Sequence, residues 1–86
     1  MVYSISYDLN SPGQNYESLY DSIKALGSWA RPLKSTWLVD TDYSATQIRQ
    51  ILSKNLDSND SICISRFTDY SVYVDEKVIH WLDKHI

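Results

Sequence analysis

The side chains that could act as nucleophiles or metal ligands are few and widely spaced in this sequence. Cys63 is the only cysteine, so the chain can form neither an internal disulfide nor a zinc site built from several thiolates. Because Cys63 alternates with Ile62 and Ile64, we expect a small buried side chain there and not a nucleophile. His80 and His85 are five residues apart, whereas two histidines that bind one metal ion from a helix are four apart. We therefore expect both histidines to be surface residues.

Other patterns with known chemistry are weak or absent. The sequence contains no serine-hydrolase elbow, metalloprotease motif or glycine-rich phosphate loop, and only two glycines from which to build one. Asp57 and Asp60 predict a turn, and a calcium loop there would lack its later ligands. Trp29 and Trp37 could stack on nucleic-acid bases, although aromatic residues on a hairpin more often fill a core or a dimer contact. Nucleotide cofactors are not indicated.

Composition favours a small, folded, self-associating protein. The 86 residues are 43% hydrophobic and 22% charged, which is enough apolar material for one domain over residues 1–86. Three Trp, seven Tyr and one Phe exceed what so small a core readily covers, so we expect a homodimer. The net charge of -3 disfavours nonspecific binding to RNA or DNA. With no apolar segment long enough for a membrane and no leader-like start, a cytoplasmic location is expected.

The elements that would position these residues follow from hydrophobic periodicity and turn signals. Alternation of apolar and polar residues predicts a strand over 2–9. Helical spacing predicts a helix over 16–26 that is capped by Asn15 and ends at Gly27. Pro32 divides the hairpin that follows into strands over 29–31 and 35–40. Ser44 and Gln47 form a capping-box pattern before a helix that reaches residue 56, and a strand over 61–67 follows. The order is β-α-β-β-α-β, which predicts the α+β class.

Two further elements are predicted after this core of residues 1–67. A short strand over 70–74 and a helix from Glu76 with an apolar face make a C-terminal extension over 68–86. We expect this extension to cover the sheet of its own subunit or of a partner.

Several short motifs resemble those of a known superfamily. These motifs are similar to those of the small CRISPR-associated adaptation protein, the Cas-two family. They are a first strand that ends in Tyr7-Asp8, a helix that ends at Gly27, then Arg31, Lys34-Ser35-Thr36-Trp37 and Asp60-Ser61-Ile62. The same skeleton is similar to the virulence-associated protein D (VapD) toxins. The resemblance covers residues 1–67.

The resemblance implies a ferredoxin-like homodimer with metal-dependent endoribonuclease activity or nucleic-acid binding. It implies that Asp8 binds a divalent metal, Mg²⁺, near the dimer axis, and it matches Arg31 and Ser35 to the arginine and serine of the family. Pro32 and Leu33 depart from the extended run that is usual there.

The chemistry of these residues is compatible with such a site. Asp8 shares a strand face with Ser4 and Ser6, away from the apolar side, and a two-fold axis beside it would bring two carboxylates to one Mg²⁺. Arg31 could neutralise a phosphate and Ser35 could hydrogen bond to a phosphate oxygen or a water.

Alternatives stay open for each of these residues and for the protein. Asp8 could cap the Pro-Gly turn that follows it, Arg31 could form a surface salt bridge, and Ser35 could be an ordinary strand hydroxyl. The protein could also be a non-catalytic interaction module that dimerises through its aromatic sheet face.

Overall fold

The computed structural model describes residues 1–11, 13 and 15–86. Within them, strands and helices alternate largely as the periodicity predicts. In chain order the elements are β1 (Val2–Asp8), α1 (Glu17–Lys24), β2 (Ser28–Leu33), β3 (Thr36–Asp40), α2 (Ala45–Leu52), a 3-10 turn (Ser53–Asn55), β4 (Ser61–Arg66) and α3 (Glu76–His85).

The strands form one four-stranded sheet in the order β2-β3-β1-β4. Every neighbouring pair is antiparallel, with β1 and β3 in the centre and β2 and β4 at the edges. Pro32 lies in edge strand β2, where the register with β3 shifts between Ala30 and Leu33. This agrees with the missing backbone donor of proline, which a central strand would not tolerate. The predicted α+β class is confirmed.

The main core lies between one face of the sheet and helices α1 and α2. Alternation along β1 places Tyr3, Ile5 and Tyr7 on this face, where all three are buried. Trp37, which is 1% exposed, fills the centre of this core. The buried members of the cluster are Tyr3, Ile5, Tyr7, Leu19, Ile23, Leu26, Trp37, Val39, Ile48 and Leu52.

A second, smaller core lies on the opposite face, under α3. Val78 and Leu82 of the helix pack on Val2, Ala30 and Leu38 of the sheet. The C-terminal helix thus covers the sheet of its own chain. The rest of this outer face is polar; the paired hydroxyls on it are Ser4 with Ser65, 3.1 Å apart, and Ser6 with Thr36, 3.0 Å apart.

The predicted strand over 70–74 does not form. Residues 67–75 have no regular secondary structure between β4 and α3. Val72 and Val74 are nevertheless half-buried against the outer core, and Tyr73 between them is fully exposed. The alternation in the sequence therefore reports which side chains are buried, whereas a strand also needs a backbone partner.

The ends of the first two helices show which capping signals were reliable. Ser44 Oγ accepts a hydrogen bond from Gln47 N, and Gln47 Oε1 accepts one from Ser44 N, so the predicted capping box is present. Asn15 Oδ1 accepts from Glu17 N at 2.9 Å, and α1 begins only at Glu17. The helix ends at Lys24, before Gly27.

Gly27 has a different role from the predicted helix end. Its φ is not positive; among the glycines only Gly13 has a positive φ, of 79°. A Cβ atom on Gly27 would overlap the carbonyl oxygen of Asp40. Glycine is needed here because two backbone segments approach closely.

Candidate functional site

Asp8 ends the central strand β1 with its side chain exposed on the outer, polar face of the sheet. It pairs in register with Ser61 of β4, and it borders a shallow cavity of about 210 Å³ that Ser6, Ser61 and Cys63 also line. Within residues 1–11, 13 and 15–86, no hydrogen bond satisfies its carboxylate. The predicted alternative, a cap on the Pro12 turn, lies outside the described residues. The carboxylate is accessible to an ion.

Arg31 is held by its own hairpin. Its guanidinium Nε and Nη2 donate to the carbonyl oxygen of Lys34 at 3.1 and 2.6 Å. The same group lies over the rings of Tyr20 and Trp37, 5.0 and 4.8 Å from their centroids. Within the described residues Arg31 forms no salt bridge; its guanidinium packs on aromatic rings and closes the β2–β3 turn. The phosphate contact stays a prediction.

Ser35 lies in the turn between β2 and β3, one residue before β3 begins at Thr36. The sequence predicted Ser35 to be the first residue of that strand. Its carbonyl oxygen accepts a hydrogen bond from Tyr7 N at 3.1 Å, which extends the β1–β3 pairing by one residue. Its side chain is exposed at the same end of the sheet as Asp8. Ser35 is therefore free to contact a ligand there.

The structure brings these three residues to one end of the sheet but not to one surface of the chain. Asp8 follows the outer face of β1, with Ser6. Arg31 contacts Tyr7 and Trp37, whose side chains belong to the core on the other face. A phosphate directly over Asp8 would not meet the Arg31 guanidinium of the same chain.

Tyr7 is the central residue of a hydrogen-bonded group that the sequence did not reveal. Its hydroxyl accepts from Trp37 Nε1 at 3.0 Å and from Arg31 Nη2 at 3.3 Å, and it donates to Lys34 O at 3.2 Å. Burial raises the pKa of Tyr7, while the bond from Trp37 and the charge of Arg31 oppose this rise. The phenol stays protonated and connects the core to the β2–β3 turn.

No metal cluster is formed by a single chain within the described residues. No group of three or more His, Cys, Asp or Glu side chains converges in that part of the chain. Asp8 alone would hold Mg²⁺ weakly, so a site there needs further ligands from a second copy, water or a phosphate.

Two expectations about single residues are wrong. Cys63 is exposed, not buried, because β4 is an edge strand and Cys63 faces the uncovered side of the sheet. His85 is half-buried, and its Nδ1 lies 2.7 Å from Asp40 Oδ2, although the sequence predicted a surface residue. His80 is exposed as predicted. The partner of His85 is 45 residues away in the sequence, so no local pattern could have identified it.

The aromatic residues of the sheet do not form an exposed face of the kind through which the chain was expected to dimerise. Trp37 lies in the core of its own chain, and Trp29 is 40% exposed at the edge of the sheet. Their rings are 5.1 Å apart. The aromatic face of β1 is covered by α1 and α2 of the same chain, and the exposed rings lie elsewhere, at Tyr43, Tyr70 and Tyr73.

Among the described residues, no helix has the length and apolar character needed to cross a bilayer. No model of a known protein family matches the chain.

Proposed function

We propose that this chain is a ferredoxin-like protein of the Cas-two and VapD superfamily, and that it acts in the cytoplasm as a homodimeric, Mg²⁺-dependent endoribonuclease centred on Asp8. The sequence motifs are one support for this proposal. The strand order β2-β3-β1-β4 with two helices on one face is the second, since a β-α-β-β-α-β chain of the ferredoxin-like type has this arrangement.

The observation that carries the proposal is the position of Asp8. An acidic side chain at the end of a central strand, exposed on a polar sheet face with an accessible carboxylate, suits a metal ion that is shared across an interface. Two such carboxylates would hold Mg²⁺, which stabilises charge on the phosphate and activates a water. The exposed Ser35 would position a phosphate oxygen or that water. Arg31 would supply positive charge to an RNA strand that passes around the end of the sheet.

The experiment compares cleavage of labelled RNA by the unmodified protein and by Asp8→Ala, first with Mg²⁺ and then with EDTA. The matched control is Asp83→Ala, which removes an exposed carboxylate from α3. We expect cleavage that EDTA stops, that Asp8→Ala abolishes and that Asp83→Ala retains. Cleavage that persists in Asp8→Ala would identify a contaminant, and no cleavage of any RNA with Mg²⁺ would exclude the activity.

The second measurement is the oligomeric state by light scattering at micromolar concentration. The proposal requires a dimer in which both Asp8 side chains approach one axis. A monomer under the conditions of cleavage would exclude the shared-metal site even if cleavage occurred.

A second candidate function is a non-catalytic interaction module. The observation that favours it is the set of exposed aromatic side chains, of which Tyr73 is fully exposed in the irregular segment before α3. The net charge of -3 also reduces the attraction for RNA. Association that Tyr73→Ser abolishes, in a protein without nuclease activity, would support this function.

A further inference from the structure

Ser28, His85 and Asp40 form a linear series of hydrogen-bonded side chains. Ser28 Oγ lies 3.2 Å from His85 Nε2, and His85 Nδ1 lies 2.7 Å from Asp40 Oδ2. The serine contacts one ring nitrogen and the carboxylate contacts the other. This order of atoms is that of a nucleophile, a general base and the group that orients the base.

Each member of this series is held by the fold. Ser28 begins β2 and pairs in register with Asp40 at the end of β3. His85 ends α3, and its ring stacks on Trp81 one turn earlier, with centroids 4.3 Å apart. The second carboxylate oxygen of Asp40 accepts from the N-terminal ammonium of Met1 at 3.1 Å. The imidazole is therefore fixed from both sides.

The donors and acceptors around Ser28 give the series its direction. Trp81 Nε1 lies 3.0 Å from Ser28 Oγ and can only donate, so the serine oxygen accepts this bond and keeps its own proton for His85 Nε2. His85 then carries its ring proton on Nδ1 and donates it to Asp40. The hydrogen bond from His85 and the one from the N-terminus lower the pKa of Asp40, which keeps it ionised.

A cavity of about 360 Å³ borders this group through Trp81. Most of its surface is apolar, from Trp29, Ala30, Val78 and Trp81, and three charged residues complete the lining: Arg31, Asp75 and Lys77. This composition suits a short hydrocarbon chain attached to a polar group. β2 is an edge strand, so only alternate backbone N–H groups along it face β3. Of the amides of residues 28 and 29, one therefore points away from the sheet. That amide can donate a hydrogen bond to an oxyanion.

We propose that Ser28 is the nucleophile of a second site, which hydrolyses short-chain carboxylic esters with His85 as general base. The Oγ atom attacks the acyl carbon while its proton passes to His85 Nε2. The bond to the leaving alcohol breaks, and the alcohol takes that proton. Water then attacks the acyl-serine, gives a proton to His85, and the acid leaves as the serine recovers its proton. The reaction converts one ester and one water into an acid and an alcohol, and needs no metal.

This site is independent of Asp8, and its test uses other probes. The unmodified protein is incubated with a fluorophosphonate and, separately, with p-nitrophenyl butyrate. We expect one covalent adduct per chain, located on Ser28 by peptide mass spectrometry. We expect release of p-nitrophenol to fall about 100-fold or more in Ser28→Ala and in His85→Ala. Asp40→Asn should also slow the reaction, because the imidazole loses its orientation.

Matched controls separate catalysis from folding. Ser65→Ala removes an exposed strand hydroxyl, and His80→Ala removes an exposed imidazole from the same helix as His85. Both should keep the full rate and the adduct, and circular dichroism should show that every variant is folded. Absence of an adduct on Ser28 in the unmodified protein, or an unchanged rate in folded Ser28→Ala, would overturn the proposal.

Discussion

The guanidinium group of Arg31 donates two hydrogen bonds to the carbonyl oxygen of Lys34, three residues further along the chain. The contact spans the turn between β2 and β3 and places the cation over the rings of Tyr20 and Trp37. Lysine has neither the planar fork nor the delocalised charge that this arrangement uses.

Replacing Arg31 with lysine should therefore lower the free energy of unfolding by about 1–2 kcal/mol, through lost hydrogen bonds and ring contacts. Urea denaturation measures this change. Arg49→Lys, on the exposed side of α2, is the control and should change stability by less than about 0.5 kcal/mol. Equal stabilities of the two variants would show that the Lys34 contact is not significant in solution.

Gly27→Ala tests the close approach of the backbone after α1 to the end of β3. The new Cβ would overlap the carbonyl oxygen of Asp40, so β3 or the chain before β2 must move. We expect a loss of about 3 kcal/mol, at the upper end of the cost of overpacking. Gly13→Ala has open space and only a positive φ to accommodate, so it should cost about 1 kcal/mol. A smaller effect at Gly27 than at Gly13 would contradict this interpretation.

Leu82→Ala tests whether α3 packs on the sheet of its own chain. Leu82 is 4% exposed in the outer core, and its truncation should cost about 2–5 kcal/mol. His80→Ala, on the exposed side of the same helix, should have little effect. Thermal unfolding should give the same loss at all protein concentrations. A loss that disappears on dilution would mean that α3 packs on a second copy instead.

Acid should weaken the connection between β3 and α3. The hydrogen bonds from His85 and from the N-terminus place the pKa of Asp40 below its ordinary value of 3.8. The pKa of Asp40 is lower in the folded state than in the unfolded state, so these hydrogen bonds stabilise the folded protein fully at pH values above 3.8. That contribution is lost as the pH falls through the folded-state pKa.

The measurement is the free energy of unfolding between about pH 5 and pH 2, where such a carboxylate titrates. Asp40→Asn should show a shallower fall in stability than the unmodified protein over this range. The control is Asp42→Asn, an exposed acid two residues away, which should keep the original slope. Identical slopes for the unmodified protein and Asp40→Asn would contradict the prediction.

The features that could be predicted from the sequence are those with local causes. The alternation along β1, the Ser44–Gln47 capping box and the start of α3 at Glu76 all depend on residues within a few positions of one another. Pro32 was predicted to interrupt the hairpin after Arg31, but it lies within β2 (Ser28–Leu33), an edge strand, where its missing donor is tolerated beside a register shift.

The features that could not be predicted depend on which segments meet in the fold. The 70–74 segment has the side-chain pattern of a strand but no partner strand, and Cys63 is exposed because nothing described covers that face beside it. Ser28 and His85 are 57 residues apart, so their contact follows only from the packing of α3 on the sheet. The contact of Arg31 with the carbonyl oxygen of Lys34 occurs where the register of β2 with β3 shifts, between Ala30 and Leu33.

The exposed position of Cys63 has a practical consequence for the question of symmetry. It is the only thiol in the chain and lies opposite Ser6 on the strand next to Asp8. A nitroxide attached there would label each copy once, without any engineered substitution. If the chain forms the proposed homodimer, pulsed electron-spin resonance between two such labels would measure how far apart the two subunits hold the ends of β1.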